Sequence, residues 1–226
     1  MVAGLYTIVY VCKRIRCPEE NWMARKTKEE AERTRQRIIH AARQVFHQCG
    51  VSRTSLEQIA KAAGVTRGAV YWHFANKADL FFAMREQASV PLLTRIDGWL
   101  LAEGLADPLE SIEQALQEFF RTLQACPEVR QIFEIMASRC EYVDEFATVQ
   151  AEVNKPGLDF LDKVEVAYRR ARERGVLRPG LEPRTVALDT WAFAGGLFHH
   201  LLAGRPDEAW RRRVPEMIAA HVALRR

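Results

Sequence analysis

The chain has no paired-cysteine framework. Its five cysteines, Cys12, Cys17, Cys49, Cys126 and Cys140, form no C-x-x-C pair, and their number is odd. That pattern argues against a disulfide scaffold and against a structural zinc site, and fits a reduced, cytoplasmic chain. Cys49 reads as a core residue of the first helix. Metal chemistry finds no other footing: His199-His200 has no third ligand at a suitable spacing and reads as surface or interface. Catalytic signatures are missing too. There is no G-x-S-x-G elbow, Walker loop, G-x-G-x-x-G fingerprint or H-E-x-x-H, so neither an enzyme, catalytic residues nor a cofactor is expected. The apolar run Val2–Cys12 is β-prone, lacks a preceding basic segment and falls far short of the ~20 residues that span a bilayer, so no membrane partner is expected. Proline (9) and glycine (12) are sparse and sit mostly between periodic segments, which leaves little room for low complexity.

What is present is concentrated in Thr54–Lys77, TSLEQIAKAAGVTRGAVYWHFANK. Leu56, Ile59, Ala60 and Ala63 recur at helical spacing. Thr54 and Glu57 read as a capping box, and Gly64 as the left-handed stop of that helix. Val65 fills the turn and Thr66 caps a second helix through Phe74. Ala69, Val70 and Phe74 face inward on it, which leaves Arg67, Gly68, Tyr71, Trp72 and His73 outward. Asn76 caps the next helix, with Lys77 in its first turn. Two short helices around a glycine turn, the second bearing basic and aromatic residues, have the layout of a helix-turn-helix DNA reader. Arg67 suits a guanine edge, the commonest specific contact in the major groove. Gly68 lets the backbone approach the duplex. Thr66, Tyr71 and His73 suit phosphate oxygens, as does Lys77 beside the exposed amides of its helix. The competing reading is an ordinary two-helix corner with Tyr71 and Trp72 packed; agreement of caps, turn and basic outer face disfavours it.

Charge segregates in the same direction. Ala24–Lys77 holds 11 Lys/Arg against 4 Asp/Glu, whereas Ala78–Arg226 holds 19 against 23. The overall +4 therefore conceals a basic module on a mildly acidic body, the footprint of nucleic-acid binding.

Helical signals continue through the body. The first helix is expected over about Lys28–Gln48. A long helix from Lys77 contains Pro91, which should kink or split it. Asp107-Pro108 opens another helix. Pro127 begins a short segment, and a longer helix over about Asp144–Arg174 should be disturbed at Pro156-Gly157. Two final helices follow Pro183 and Pro206. The first of these is apolar on more than one face, which suits packing both inward and against a partner.

The run TRQRIIHAARQVFHQCGVSRTSLEQIAKAAGVTRGAVYWHFANKADLF closely resembles the N-terminal domain of TetR/AcrR-type transcriptional repressors, most diagnostically in GVTRGAVYWHFANK. From Met23 the chain looks most similar to repressors of resistance-nodulation-division multidrug efflux pumps. The resemblance implies an all-α fold of about nine helices. A three-helix helix-turn-helix domain would occupy 23–78 (recognition motif 55–74), and a ligand-binding and dimerisation domain 79–226. It implies a homodimer on a palindromic double-stranded operator, released by a hydrophobic small-molecule inducer. Arg35, toward the start of the first helix, and Thr54 join Thr66, Arg67, Gly68, Tyr71, Trp72, His73 and Lys77 as the expected DNA-binding set. Positions that correspond to the family's pocket are Ile112, Leu116, Phe119, Phe133, Glu134, Ala137, Phe160, Val164, Trp191, Ala194, Gly195 and Phe198. For each of them plain core packing is the competing reading, and for Glu134 a solvated face. Cys140 lies near that region, where redox sensing is conceivable. A second functional reading keeps the DNA reader but makes the signal a different metabolite or a protein partner.

Residues 1–22 stand apart. The resemblance starts cleanly at Met23, itself a suitable initiator, so this segment is expected to be a non-native or disordered extension. The alternative is a flexible arm touching DNA through Lys13, Arg14 and Arg16.

Overall fold

The computed structural model describes residues 18–101, 107–143, 146–203 and 207–226, with side chains from Thr27 onward apart from that of Ala203. Among the described residues there are nine α-helices and no strand. Of the segment 1–22, residues 1–17 lie outside the described part, and the first helix, α1 (Pro18–Cys49), begins ahead of Met23. Ile38, Ile39, Ala41, Ala42 and Phe46 form its buried stripe. Cys49 is exposed rather than part of the core. The chain turns at Gly50 (φ +82°), and it is Val51 that enters the apolar space beside Phe46.

Two short helices follow, α2 (Leu56–Ala63) and α3 (Arg67–His73), joined through Gly64 at φ +64°. The Gly64 N–H bonds back to α2 carbonyls, as a left-handed C-cap requires. The capping box on α2 sits one residue later than the sequence predicts. Ser55 Oγ accepts from Gln58 N at 3.2 Å and Gln58 Oε1 accepts from Ser55 N at 2.7 Å. Both registers satisfy the S/T-x-x-E/Q pattern; the one adopted frees Thr54, whose hydroxyl donates to Gly50 O at 2.7 Å and closes the preceding turn.

α4 (Lys77–Leu100) is capped by Asn76, whose Oδ1 accepts from Asp79 N at 2.8 Å. Pro91 does not split it. The residue is exposed, so the carbonyl one turn back that loses its donor faces solvent, while Met84 on one side and Leu92, Ile96 and Leu100 on the other are anchored in packed cores. Next come α5 (Pro108–Ala125), started by Asp107, and α6 (Pro127–Glu134), which runs into a five-residue π-helical turn, Ile135–Arg139. α7 (Val149–Glu173) passes unbroken through Pro156-Gly157. Gly157 serves a close approach: a Cβ there would lie 2.5 Å from Cη2 of Trp191 on α8 (Pro183–Ala203). α9 (Glu208–Ala223) ends the described chain's helices.

Two apolar cores share α4. The first joins α1, α2, α3 and Leu80–Met84 of α4 to Ile132, Ile135, Met136, Phe146 and Val149. The second packs Leu92, Ile96 and Leu100 against α5, α7, α8 and α9. The helix-turn-helix unit is thus not closed by residues 23–78 alone; it borrows apolar side chains from α6, the π turn, Phe146 and the start of α7.

Candidate nucleic-acid interface

Thr66 Oγ1 accepts from Ala69 N at 3.2 Å and starts α3 with its N-terminus exposed. Val70 and Phe74 are buried beneath, which fixes the opposite face outward. On that face Arg67, Gly68, Tyr71 and Trp72 are all exposed. Trp72 leaves 73 % of its surface to solvent and Tyr71 is exposed beside it, whereas Phe46, Phe74 and Phe81 are buried, so this face presents an uncovered aromatic pair.

Arg67 is held before any ligand arrives. Its guanidinium pairs with Glu57 of α2 and lies 5.4 Å from the Tyr71 ring centre. The Tyr71 hydroxyl first, then the Glu57 carboxylate, favours the charged form and raises its pKa above the ordinary value. Pairs this exposed contribute little to stability, so they orient the guanidinium without obstructing its transfer to a stronger acceptor. Gly68 carries no side chain to keep a phosphate or base away; the nearest neighbour a Cβ would meet is Thr66 Oγ1 at 3.9 Å.

The remaining expected contacts differ in placement. His73 is half-buried, edge-on to Trp72 with ring centres 4.5 Å apart. Burial, aided by Arg35, lowers its pKa, so at neutral pH it offers a neutral N–H rather than a charge. Arg35 lies over Phe74 at 5.4 Å and braces α1 against α3. Lys77 is half-buried at the start of α4, its Nζ 5.5 Å from the Phe146 ring centre. Thr54 is a correction: only 3 % of it is exposed and its hydroxyl is spent on Gly50, so it supports the motif from within and offers nothing to DNA.

Two supports were not anticipated from sequence. Arg37 Nη2 donates to Ala63 O at 2.8 Å and Gly64 O at 3.3 Å, capping the C-terminus of α2 from α1. Glu57, the partner of Arg67, read instead as a capping residue. Neither pairing leaves a local signal, because each joins residues on different helices.

In the body, the residues expected around a ligand divide. Ile112, Leu116 and Val164 are buried in the second core, with Phe119, Phe133, Phe160, Ala194 and Phe198 packed against it. Phe119, Phe133 and Phe198 form a triangle with ring centres 5.6, 6.1 and 5.7 Å apart, so aromatic edges fill the space a ligand would use. Trp191 is partly exposed beside Phe160 at 6.3 Å, and Gly195 is exposed, with nothing within 4 Å of where a Cβ would sit. Ala137 is exposed on the π turn and does not face this cluster. Glu134 is a second correction. It turns toward α1, where its carboxylate accepts from His47 Nε2 at 2.7 Å, with Arg130 at 3.8 Å. It therefore couples α6 to α1 and is neither a polar group of the aromatic cluster nor a solvated face. Burial raises the Cys140 thiol pKa to about 11, opposite to what redox sensing needs. Three clefts, of about 800, 690 and 660 Å3, lie elsewhere, and no residue of the expected ligand set lines them.

Among the described residues no helix is long and apolar enough to cross a membrane.

Comparison with known proteins agrees with this geometry. The family described as bacterial regulatory proteins, tetR family, matches residues 38–84, which span the second half of α1 through Met84 of α4. The transcriptional regulator AcrR of Shigella flexneri is 38 % identical over 180 residues, covering 80 % of this chain and 83 % of its own. The crystal structure of NalD, the secondary repressor of the MexAB-OprM multidrug efflux pump in Pseudomonas aeruginosa, superposes with a TM-score of 0.72 at 36 % identity, covering 86 % of this chain and 95 % of that one. The complex of SmeT with triclosan gives a TM-score of 0.72 at 30 % identity, over 84 % and 89 % of the two chains; SmeT represses the Stenotrophomonas maltophilia pump SmeDEF.

Proposed function

The chain belongs to the TetR family of bacterial regulatory proteins, and from that premise we propose that it represses a multidrug efflux operon and is released by a hydrophobic small molecule. The family acts as dimers on operator DNA. The observation that carries the reading is the outward face of α3, where a preorganised Arg67, a bare Gly68 and an exposed Trp72 stand together. A two-fold dimer sets two such faces on successive major grooves, ~34–36 Å apart, so a small tilt between subunits misaligns both. α8 suits the dimer contact, since Leu188 and Trp191 are exposed on it and Gly195 and Gly196 allow close approach.

In this assignment Arg67 and Gly68 meet bases, while Thr66, Tyr71, Trp72, His73 and Lys77 hold the backbone. Release by a hydrophobic molecule draws on the SmeT–triclosan complex and on the aromatic cluster around Phe119. Because that cluster is packed shut, a ligand there must part the rings, and parted rings would push α5, α6 and α8 outward. The same packing favours a second reading, in which a different metabolite or a protein partner gives the signal.

The test is a gel shift with the region upstream of this protein's own gene and its divergent neighbour. Sub-micromolar binding that triclosan or a similar hydrophobic antimicrobial reverses is expected. Binding no tighter than to random DNA would overturn the repressor reading; tight binding indifferent to all such compounds would support the alternative signal.

A further inference from the structure

From Arg33 to Lys77 the chain carries eight Lys/Arg and a single carboxylate, Glu57. In a stretch otherwise suited to attract phosphate, that one negative charge sits beside Arg67. Glu57 lies in the first turn of α2, between Ser55 and Gln58, whose reciprocal capping bonds fix the backbone that carries it. Its Oε1 accepts from Arg67 Nη1 at the start of α3, and both side chains are exposed. An ordinary surface glutamate would pair along its own helix with Lys61, four residues on. Lys61 is exposed and makes no ion pair among the described residues, so the carboxylate reaches across the turn to Arg67 instead. The Tyr71 ring, its centre 5.4 Å from the guanidinium carbon, gives Arg67 a second support from its own helix.

A guanidinium has five N–H donors, so with Nη1 on Glu57 the others stay open to a bidentate acceptor. Two kinds of acceptor on DNA compete for them. Guanine O6 and N7 belong to a neutral base, whereas a phosphate oxygen brings a full negative charge. A phosphate drawn to Arg67 is drawn toward the Glu57 carboxylate as well. Like charges at that range repel, and more strongly once the duplex displaces water. Guanine brings no such charge, so the pair can stay together while the base edge is read.

We propose that Glu57 is a specificity-determining positioning residue for operator recognition: it keeps Arg67 off the phosphate backbone and directs it to a guanine. Affinity for DNA in general is lowered and discrimination between sequences is raised. The assignment rests on the reading of this protein as an operator-binding regulator, and goes beyond it by giving selectivity to a residue that touches no base itself.

In the test, the full chain selects its preferred site from a pool of randomised duplexes. Affinities for that site and for a random duplex are then measured by fluorescence anisotropy across a range of salt. For Glu57→Gln, binding to the random duplex should tighten roughly five-fold near physiological salt. Its slope of log affinity against log salt should steepen by about 0.9, as for one added phosphate contact. Affinity and slope on the preferred site should change little, so the ratio of the two affinities falls. In an Arg67→Ala background the same substitution should leave that ratio unaltered, because Glu57 acts through Arg67. Glu57→Ala serves if Glu57→Gln does not fold. Equal changes on both duplexes would reduce Glu57 to a general charge or to a structural role, and overturn the proposal. A ratio that still falls without Arg67 overturns it too, by making Glu57 a base contact in its own right. A parent protein that does not discriminate between selected and random duplexes removes the regulator reading itself; one that discriminates, with a ratio indifferent to Glu57, removes only this proposal.

Discussion

Arg67 owes its readiness to two neighbours rather than to its position alone. Glu57 and the Tyr71 ring hold the guanidinium at the N-terminal end of α3, where a base edge would be met. If it makes a bidentate guanine contact, Arg67→Ala should cost about 1–3 kcal/mol in operator binding and relax base preference at one position. Equal losses on operator and random DNA, measured by fluorescence anisotropy, would reduce Arg67 to a phosphate contact. Lys77, leaning on Phe146 at the edge of the motif, belongs to the charge term instead. Lys77→Ala should weaken binding to every sequence and lower the slope of log affinity against log salt by about one; an unaltered slope removes Lys77 from the backbone contacts. Thr54 gives the opposite expectation. Thr54→Val breaks its bond to Gly50 O and should lower stability by about 1 kcal/mol in urea unfolding, with the salt slope for DNA unchanged. Residue types in GVTRGAVYWHFANK were enough to name the outward face, because helix periodicity fixes which side Val70 and Phe74 bury. They could not identify Thr54 as internal, since its partner depends on how the Gly50 turn folds.

At the scale of elements, caps and packing decide between alternatives that patterns leave open. Thr54-x-x-Glu57 and Ser55-x-x-Gln58 overlap, and the helix takes the second. Ser55→Ala should therefore cost about 1 kcal/mol of stability, whereas Glu57→Ala should cost far less while altering only how Arg67 is held; thermal melts of the two variants compared side by side check this, and a larger loss for Glu57→Ala would restore the earlier register. Proline and glycine show the same limit. Pro91 and Pro156-Gly157 signal breaks by local rules, yet α4 and α7 run through them. A helix anchored in a core on both sides tolerates one missing hydrogen bond, and Gly157 is explained by Trp191, a residue on another helix.

For the whole molecule, the consequential feature is that the reader is not self-sufficient. Its core takes Ile132, Ile135, Met136, Phe146 and Val149 from the body. Val51 N also donates to Arg139 O at 2.8 Å, and His47 meets Glu134 at 2.7 Å. A movement of α6 is thereby delivered to α1 directly. Glu134→Ala should loosen this link: hydrogen exchange at the C-terminal end of α1 should quicken several-fold, and operator release should require a different ligand concentration, while direct DNA contacts are untouched. Exchange as slow as in the parent protein would show that the apolar core alone carries the coupling.

A second whole-molecule expectation concerns acid. His221 is stacked on Phe193 with ring centres 4.1 Å apart and meets Thr190 Oγ1 at 3.0 Å, which in turn meets the Tyr168 hydroxyl at 2.7 Å. Burial, then Arg225, lowers its pKa, with Asp189 opposing. The folded state therefore binds this proton less readily than the unfolded chain, whose histidine titrates near ~6.5. Its neutral form supports the fold fully above that value, and stability falls as pH drops from there toward the lowered folded value. Urea midpoints between pH 7.5 and 5 should decline less steeply for His221→Gln than for the parent; parallel curves would show that other groups set the acid limb.

By itself the sequence determined the all-helical class, the helix-turn-helix and its outward residues, and the segregation of basic charge, because each follows from short-range periodicity, capping chemistry and residue type. Only the tertiary structure decided what Glu134, Thr54, Arg37 and Gly157 do, and that the Phe119–Phe133–Phe198 cluster is packed rather than open. Those facts depend on which distant helices meet, and a packed contact between residues far apart in the chain leaves no pattern in either segment alone.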